Sequence, residues 1–203
     1  ITAFCWAFRE TADATLVLKI TQNDLSSYYV HLITLLSQLS PFACRVVVLH
    51  GYLEDEEFAR LYGAASFYVN ASRCEGLCLP LMEFMSCGKP AIAPLNTAMA
   101  DYVSSDNAFI VDFTEELTAW PHDPRAAYRT MRYITDWDSL CLAYRASYDV
   151  AKTDEPRYAA MSAEAIRSLQ RFCSQASTEQ RLRDFFAQPL QARGTLPAQV
   201  TLA

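Results

Sequence analysis

The chain has 203 residues, of which 52% are hydrophobic and 20% charged, so it can bury one ordinary core and is not a disordered tail. Seventeen basic against twenty-three acidic residues give a formal net charge of −6. This balance argues against a nucleic-acid duplex or an anionic membrane as the main partner, because both require a concentrated positive face. No apolar run approaches the roughly 20 residues that span a bilayer, and no signal-peptide pattern opens the chain. Because the chain starts at Ile1, we expect it to be part of a longer protein.

The seven cysteines are irregularly spaced, and most stand among apolar neighbours. Cys74 and Cys78 are the closest pair, but no second pair follows them, as a zinc site would require. We therefore expect buried free thiols in a reducing cytosol, no metal site and a cytoplasmic location. On this interpretation the glycosylation sequon that begins at Asn70 is a chance match.

The first half of the chain alternates β-branched apolar runs with helical patterns. The spacing predicts helices over 2–10, 25–39, 54–62 and 80–87, and strands over 15–20, 45–49, 66–69, 90–93 and 108–111. Gly63 is expected to end the third of these helices. Alternation at this spacing predicts an α/β fold in which a parallel sheet carries helices on both faces.

The pattern changes near Pro124, after which only helices are predicted. Apolar residues recur at helical spacing over 136–150, 156–173 and 178–187. We therefore expect an α/β domain over 1–123 and a helical extension over 124–188 that packs on it. The remaining residues, 189–203, are expected to form a loose tail.

Two of only five glycines fall close together, at Gly76 and Gly88. Gly76 leaves the backbone of a loop open to a ligand, and Pro80 suits the first position of a helix. Gly88 is expected to end that helix, and Pro90 prevents it from resuming. The helix N-terminus then exposes backbone N–H groups that favour an anion such as a pyrophosphate. These amides belong to Leu77, Cys78 and Leu79.

Two carboxylates flank this predicted anion site. Glu75 lies in the loop, and Glu83 lies one turn into the helix. Acids beside a phosphate would repel it, unless they accept hydrogen bonds from hydroxyls on the same ligand. A nucleotide sugar carries such hydroxyls at both ends, which makes it a ligand that fits the pattern.

The stretch from Ser72 to Pro90 resembles the signature of group 1 (family 4) glycosyltransferases. The matching pattern is Ser-x2-Glu-Gly-x2-Leu-Pro-x2-Glu-x-Met-x-Cys-Gly-x-Pro, with the two glutamates eight positions apart. The resemblance implies that Glu75 contacts the donor sugar and is the catalytic residue, and that Glu83 contacts the ribose. It also implies that the loop amides of residues 76–79 hold the diphosphate.

The similarity covers residues 14–112 clearly and includes His50-Gly51-Tyr52 and Leu61-Tyr62-x-Ala64-Ala65. Gly51 and Tyr52 are therefore added to the expected donor site. The resemblance implies a GT-B architecture, in which two Rossmann-like halves face each other across a cleft. This chain is similar to the C-terminal, donor-binding half. The resemblance therefore implies that the N-terminal half, which would hold the acceptor, lies outside this chain. Transfer with retention of configuration and without an obligatory metal is also implied.

Two departures from the family pattern concern the same pocket. Where the family has a Gly-Gly turn followed by a glutamate, this chain has Asn96-Thr97-Ala98-Met99-Ala100-Asp101, so Asp101 takes the place of the glutamate. The family's Arg and Lys phosphate ligands follow a first strand that this chain does not include. Lys19 ends the next strand and is either a phosphate ligand or a solvated strand end. Without that first strand, one sheet edge is expected to be open, where a homodimer could form.

Two rival functions stay open at this point. One is a catalytically silent domain that binds a nucleotide or a protein, and the other is half of a nucleotide-sugar epimerase. Nucleotide titration separates a silent domain from a donor half, and product analysis of the whole protein separates a transferase from an epimerase. A transferase of this kind would be cytoplasmic, or peripheral to the membrane if its missing half binds there.

Overall fold

The computed structural model describes residues 1–21 and 26–187. Its helices are α1 (Thr2–Ala7), α2 (Ser26–Leu39), α3 (Asp55–Ala64), α4 (Leu79–Ser86), α5 (Trp137–Thr153), α6 (Glu155–Cys173) and α7 (Gln175–Ala187), with a 3₁₀ helix over Thr97–Asp101. Its strands are β1 (Thr15–Ile20), β2 (Arg45–His50), β3 (Tyr68–Val69), β4 (Ala91–Ala93), β5 (Ala108–Ile110), β6 (Phe113–Ala119) and β7 (Arg129–Thr135). Each predicted strand is present, although several are shorter than expected.

The first five strands are parallel, as the alternation of strands and helices predicts. β1 pairs with β2 in a register that runs from Thr15 opposite Arg45 to Ile20 opposite His50. β3, β4 and β5 form a second parallel ladder with β4 in the centre. Within the described part of the chain, no ladder joins β1 to β3. The parallel strands therefore form two separate sheets rather than one.

Helices cover both faces of the three-stranded sheet. Side chains alternate along β4, so that Ile92 enters one core while Ala91 and Ala93 enter another. The first core also contains residues of α1, β1, β2 and α5, and it holds the two parallel sheets together. The second contains residues of α4 and α6. Ala91 and Ala93 of β4 pack in this core with α4 and α6. Because α4 follows the carboxyl end of β3, its N-terminus lies at the carboxyl edge of the sheet.

The prediction that only helices follow Pro124 is wrong, because β6 and β7 form an antiparallel hairpin. This hairpin contains the predicted domain boundary at 123/124. Most side chains of both strands are exposed or half-buried, so the sequence lacks the apolar alternation that marks a strand against a core. Glu116 and Arg132 face each other across the ladder in a 2.7 Å ion pair. The hairpin therefore rests on the pairing of its two strands and not on the burial of apolar side chains.

Several helix boundaries also differ from the prediction. α1 ends at Ala7 rather than residue 10, and Gly63 lies within α3 rather than after it. α3 begins at a capping box, in which the Glu54 amide donates to the Glu57 carboxylate at 2.9 Å. Leu25 and the predicted tail over 189–203 lie outside the described residues. No helix in the described ranges is long and apolar enough to cross a bilayer.

All seven cysteines are free thiols, as expected, but only Cys5, Cys44, Cys78 and Cys141 are buried, whereas Cys74, Cys87 and Cys173 are exposed. Asn70, the first residue of the sequon, is also buried, with its side chain hydrogen-bonded inside the protein. A buried side-chain amide is inaccessible to a glycosylating enzyme. The structure thus agrees with the interpretation of the sequon as a chance match.

Candidate functional site

The predicted motif loop, residues 70–78, connects the carboxyl end of β3 to the N-terminus of α4. The segment 94–101 follows the neighbouring strand β4 and contains the 3₁₀ helix. In open parallel α/β sheets, ligands bind outside the carboxyl ends of the strands. The fold therefore places the motif at the edge where a ligand site is expected.

Asn70 holds the two ends of this loop together. Its Oδ1 accepts a hydrogen bond from the Ser72 amide at 2.7 Å, which is a local turn made by a side chain. Its Nδ2 donates to the sulfur of Cys78 at 2.9 Å and to that of Met99 at 3.3 Å. One buried carboxamide thus fixes the start of the loop, its end and the adjacent 3₁₀ helix.

Two further hydrogen bonds fix the backbone on either side of Glu75. The Tyr102 hydroxyl donates to the carbonyl of Leu77 at 2.6 Å, and the Tyr133 amide, on β7, donates to the carbonyl of Arg73 at 2.7 Å. Tyr102 is itself buried against Phe172 of α6. The loop that carries Glu75 is therefore anchored to α6 and to the hairpin that the sequence did not predict.

The N-terminus of α4 is open to solvent. Leu77 and Leu79 are exposed, and a Cβ placed on Gly76 would meet no atom within 4 Å. The helix starts at Leu79, so Pro80 occupies the second helical position rather than the predicted first one. Pro80 still removes an N–H that the helix could not have satisfied. Amides in the first turn of a helix make no bond to the helix's own carbonyls, and such amides can bind an anion.

Cys78, directly before α4, has a left-handed backbone with φ of 52°. Its side chain is buried in the second core. Burial raises the pKa of this thiol above its ordinary value, so the sulfur stays protonated at neutral pH. The thiol is therefore a packing group, and only the backbone of Cys78 is available to a ligand.

Both predicted acids act electrostatically on Tyr68. Burial raises the pKa of the Tyr68 hydroxyl, and Cys78, Glu75 and Glu83 raise it further. Both carboxylates are thus within electrostatic reach of the same side chain, with Glu75 half-buried and Glu83 exposed. The two acids that the sequence predicts beside the anion site thus share an influence on one side chain, that of Tyr68.

Glu83 has a partner that the sequence alone does not indicate. The Tyr62 hydroxyl, at the end of α3, donates to Oε2 of Glu83 at 2.9 Å. In the sequence, Tyr62 stands out only as part of the family-like stretch that precedes the motif. The bond joins residues 21 positions apart, and no local spacing rule predicts such a contact.

The other predicted site residues lie in separate places. The Lys19 ammonium donates to the carbonyl of Gly51, at the adjacent carboxyl ends of β1 and β2. Tyr52, the next residue, is 80% exposed. Asp101 is exposed at the end of the 3₁₀ helix. No hydrogen bond described for residues 1–21 and 26–187 joins any of these four to the motif loop.

The segment after β4 also contains polar groups without partners. Asn96 is 4% exposed, and neither Nδ2 nor Oδ1 of its side chain has a hydrogen-bond partner among the described residues. The same is true of the Thr97 hydroxyl, and Thr97 has a φ of 52°. Within the described ranges, no cluster of three or more His, Cys, Asp or Glu side chains could hold a metal ion.

The sequence places this chain in a known family. The family model described as "Glycosyl transferases group 1" matches residues 28–131, about half of the chain, and that range contains the whole motif loop, α4 and the segment after β4. The chain belongs to the group 1 glycosyltransferases.

Two individual proteins are similar to parts of it. The O-antigen chain mannosyltransferase B of Escherichia coli is 39% identical over 62 residues, which are 30% of this chain and 16% of that protein. The structure of sucrose-phosphate synthase from Thermosynechococcus elongatus has a TM-score of 0.61 and 18% identity, over 92% of this chain and 42% of the other. This structural likeness shows the shared α/β, GT-B type of fold. The chain spans less than half of the length of either protein.

Proposed function

We propose that this chain binds the nucleotide-sugar donor of a glycosyltransferase. The whole protein would transfer the sugar to an acceptor held by another part of the protein, with retention of configuration and without an obligatory metal. The observation that carries the proposal is the fixed loop between β3 and α4. This loop leads into the open N-terminus of α4, with Glu75 in the loop and Glu83 in the helix, and both acids act electrostatically on Tyr68.

The arrangement fits a ligand with a central anion and hydroxyls at both ends. Backbone N–H groups at Gly76 and Leu77 and the dipole of α4 would stabilise the negative diphosphate as it leaves. The carboxylates would repel that charge unless each accepts hydrogen bonds from a hydroxyl. We assign the ribose hydroxyls to Glu83 and the donor sugar to Glu75, the catalytic residue. Lys19, Gly51, Tyr52 and Asp101 are proposed to contribute at the margins of the donor site.

The segment 96–101 bears on the rival proposal of a silent domain. The family's glycine turn is absent, yet Thr97 adopts a left-handed backbone that a glycine would adopt easily. A strained backbone of this kind is common at functional sites, which favours a working pocket over a silent domain.

Isothermal titration tests the proposed roles of the two acids. The ligands are ADP, GDP and UDP together with their sugar conjugates, including mannose-bearing ones because one relative is named a mannosyltransferase. Glu83→Ala should weaken binding of the best nucleoside diphosphate about 10- to 100-fold, because a hydrogen bond to a charged acceptor is lost. Glu75→Ala should leave that affinity unchanged and weaken only the nucleotide sugar.

Glu56→Ala is the matched control. Glu56 is an exposed acid on the neighbouring helix α3, so its substitution removes the same charge. Its affinity for every ligand should equal that of the wild type. Equal effects of Glu75→Ala and Glu83→Ala on the sugar-free nucleotide would refute the division of roles. Absence of any nucleotide binding by the wild type would refute the donor site.

A further inference from the structure

The ring of Tyr62, on α3, packs against the neighbouring helix α4. Its ring packs edge-on against Phe84 of α4, with ring centroids 4.8 Å apart and an interplanar angle of 90°. The ring centroid of Phe58, one turn earlier on α3, lies 5.9 Å from that of Tyr62, and Phe84 in turn packs on Tyr68 of β3. Aromatic contacts of this kind restrict the ring, so the position of the hydroxyl is set by α3, α4 and β3 together.

A second contact fixes the two helices relative to each other. The Lys89 ammonium, just beyond the end of α4, lies 3.4 Å from the carbonyl of Gly63, next to Tyr62 on α3. The Tyr62–Glu83 hydrogen bond is therefore part of a helix pair joined at two points. The distance between the hydroxyl and the Glu83 carboxylate does not depend on a flexible loop.

Glu83 needs such support because it is exposed and long. A free glutamate side chain samples several rotamers, and ordering it on ligand binding costs conformational entropy. The Tyr62 bond occupies one lone pair of Oε2. A carboxylate offers about four acceptor sites, so Oε1 and the rest of Oε2 remain available to two neighbouring hydroxyls.

We propose that Tyr62 is a positioning residue that orients the Glu83 carboxylate toward the vicinal hydroxyls of the donor ribose. This inference rests on the ribose role proposed for Glu83. Burial and the bond to Glu83 raise the pKa of Tyr62 to about 12, so its hydroxyl remains a donor throughout the neutral range. Tyr62 touches the ligand only through Glu83.

Discrimination between ribose and dideoxyribose tests the proposal. The probe is whichever of ADP, GDP and UDP binds the wild type most tightly, compared with its 2′,3′-dideoxy counterpart. Tyr62→Phe keeps the ring and its packing but removes the hydroxyl. We expect it to lower the affinity for the ribonucleotide about three- to tenfold, the effect of one hydrogen bond, and to leave the dideoxy affinity unchanged.

Two further variants separate this effect from general damage. Tyr148→Phe is the matched control, since its hydroxyl also donates to a carboxylate, that of Asp13 at 2.6 Å, far along the chain from the motif. It should leave discrimination unchanged. In a Glu83→Ala background, Tyr62→Phe should have no additional effect on ribonucleotide affinity, because the group that it orients is gone.

The outcomes distinguish the inference from the function on which it rests. A wild type that binds both nucleotides equally would refute the ribose role of Glu83, and the inference with it. A wild type that discriminates, with Tyr62→Phe discriminating equally well, would overturn the positioning role alone. An equal loss of affinity for both nucleotides in Tyr62→Phe would also overturn it, because that result indicates structural damage.

Discussion

Thr97 combines two unfavourable features in one residue. Its φ of 52° lies in the left-handed region, where a β-branched residue is an outlier. Its buried hydroxyl has no partner among the described residues, and neither do the two polar atoms of the Asn96 side chain beside it. Buried polar groups without partners and strained backbones both cost free energy, and they concentrate at functional sites. The strained backbone and the unpartnered polar groups of the segment after β4 therefore lower the stability of the fold.

Thr97→Gly should make the protein more stable. Relief of the left-handed backbone contributes roughly 1–2 kcal/mol, and the greater freedom of glycine in the unfolded chain removes about 0.5–1 kcal/mol. Loss of an unpartnered hydroxyl adds to the gain. We expect the free energy of unfolding to rise by about 1 kcal/mol, measured as a higher urea midpoint with an unchanged slope.

Ala126→Gly is the control for the backbone effect alone. Ala126 has a φ of 51° in the turn of the β6–β7 hairpin, and it has no side-chain hydroxyl. The free energy of unfolding should rise less for Ala126→Gly than for Thr97→Gly. A decrease in stability for Thr97→Gly would show that the threonine side chain packs favourably enough to outweigh the strain.

At the scale of a single element, α4 is held at its C-terminus by a Schellman motif. The amide of Lys89 donates to the carbonyl of Phe84, and the amide of Gly88 donates to that of Met85. Gly88 takes the required left-handed conformation with φ of 73°. Its carbonyl also accepts a hydrogen bond from Ser162 of α6 at 2.5 Å. The helix that carries Glu83 is thus fixed at the end opposite the proposed anion site.

Substitution by alanine should change the free energy of unfolding in opposite directions at two glycines, Gly88 after α4 and Gly63 inside α3. A Cβ at Gly88 would lie 2.8 Å from Oγ of Ser162, in a backbone conformation unfavourable for any side chain. Gly88→Ala should therefore lower the free energy of unfolding by about 2 kcal/mol. Gly63 lies inside α3, and a Cβ there would have no atom within 4 Å of it. Gly63→Ala should raise the free energy of unfolding by about 0.5–1 kcal/mol.

Thermal and urea unfolding of the two variants check this contrast. Because each is the same chemical change, each is the control for the other. A loss of stability in Gly63→Ala would mean that the end of α3 needs a glycine, as expected if the helix stopped at that residue. Equal stability of Gly88→Ala and the wild type would contradict the steric argument.

At the scale of the whole molecule, an ion pair joins the start of the chain to the helices that follow the hairpin. Asp13, in the turn before β1, accepts hydrogen bonds from Lys152 and Tyr148 of α5, each at 2.6 Å. These bonds, first that of Lys152 and then that of Tyr148, lower the pKa of the Asp13 carboxyl below its ordinary 3.8. Phe4 of α1 and Phe8 directly after it also pack against two tyrosines of α5 at this place, Tyr144 and Tyr148.

The contribution of Asp13 to the free energy of unfolding should be lost at acid pH. A carboxyl whose pKa is lowered on folding contributes fully above its unfolded pKa, here 3.8, and this contribution disappears as the pH falls through the lower folded value. Asp13→Asn should therefore be less stable than the wild type at pH 7, and the two should converge as the pH falls through the lowered folded pKa of Asp13. Urea unfolding at a series of pH values measures the difference.

Asp106→Asn is the control, because Asp106 is exposed and forms no ion pair with the described residues. Its stability difference from the wild type should be small and nearly constant with pH. A difference for Asp13→Asn that persists unchanged into acid would show that packing, and not the charge, accounts for its effect. Both partners of Asp13 are half-exposed or exposed, so added salt should reduce the effect at pH 7.

The elements that the sequence predicts well are those whose signal is local. The strand predicted over 15–20 matches β1 over its full length, because apolar and β-branched residues dominate that segment. Gly88 is identifiable as a helix end because a left-handed C-cap excludes most other residues. The prediction fails at Gly63 because a glycine within a helix costs only about 1 kcal/mol, which the surrounding contacts can outweigh.

The sequence by itself determined the α/β alternation, the strand–loop–helix shape of the motif and the presence of two acids beside a helix N-terminus. These features follow from periodicity, from the steric limits of glycine and proline and from the helix dipole, all of which act within a few residues. Only the tertiary structure decided the split into two parallel sheets, the β6–β7 hairpin, the Asn70 bonds that close the loop and the Tyr62–Glu83 pair. Each of these depends on which distant residues meet in the folded chain, and a hydrogen bond between residues 21 positions apart leaves no periodic trace in the sequence.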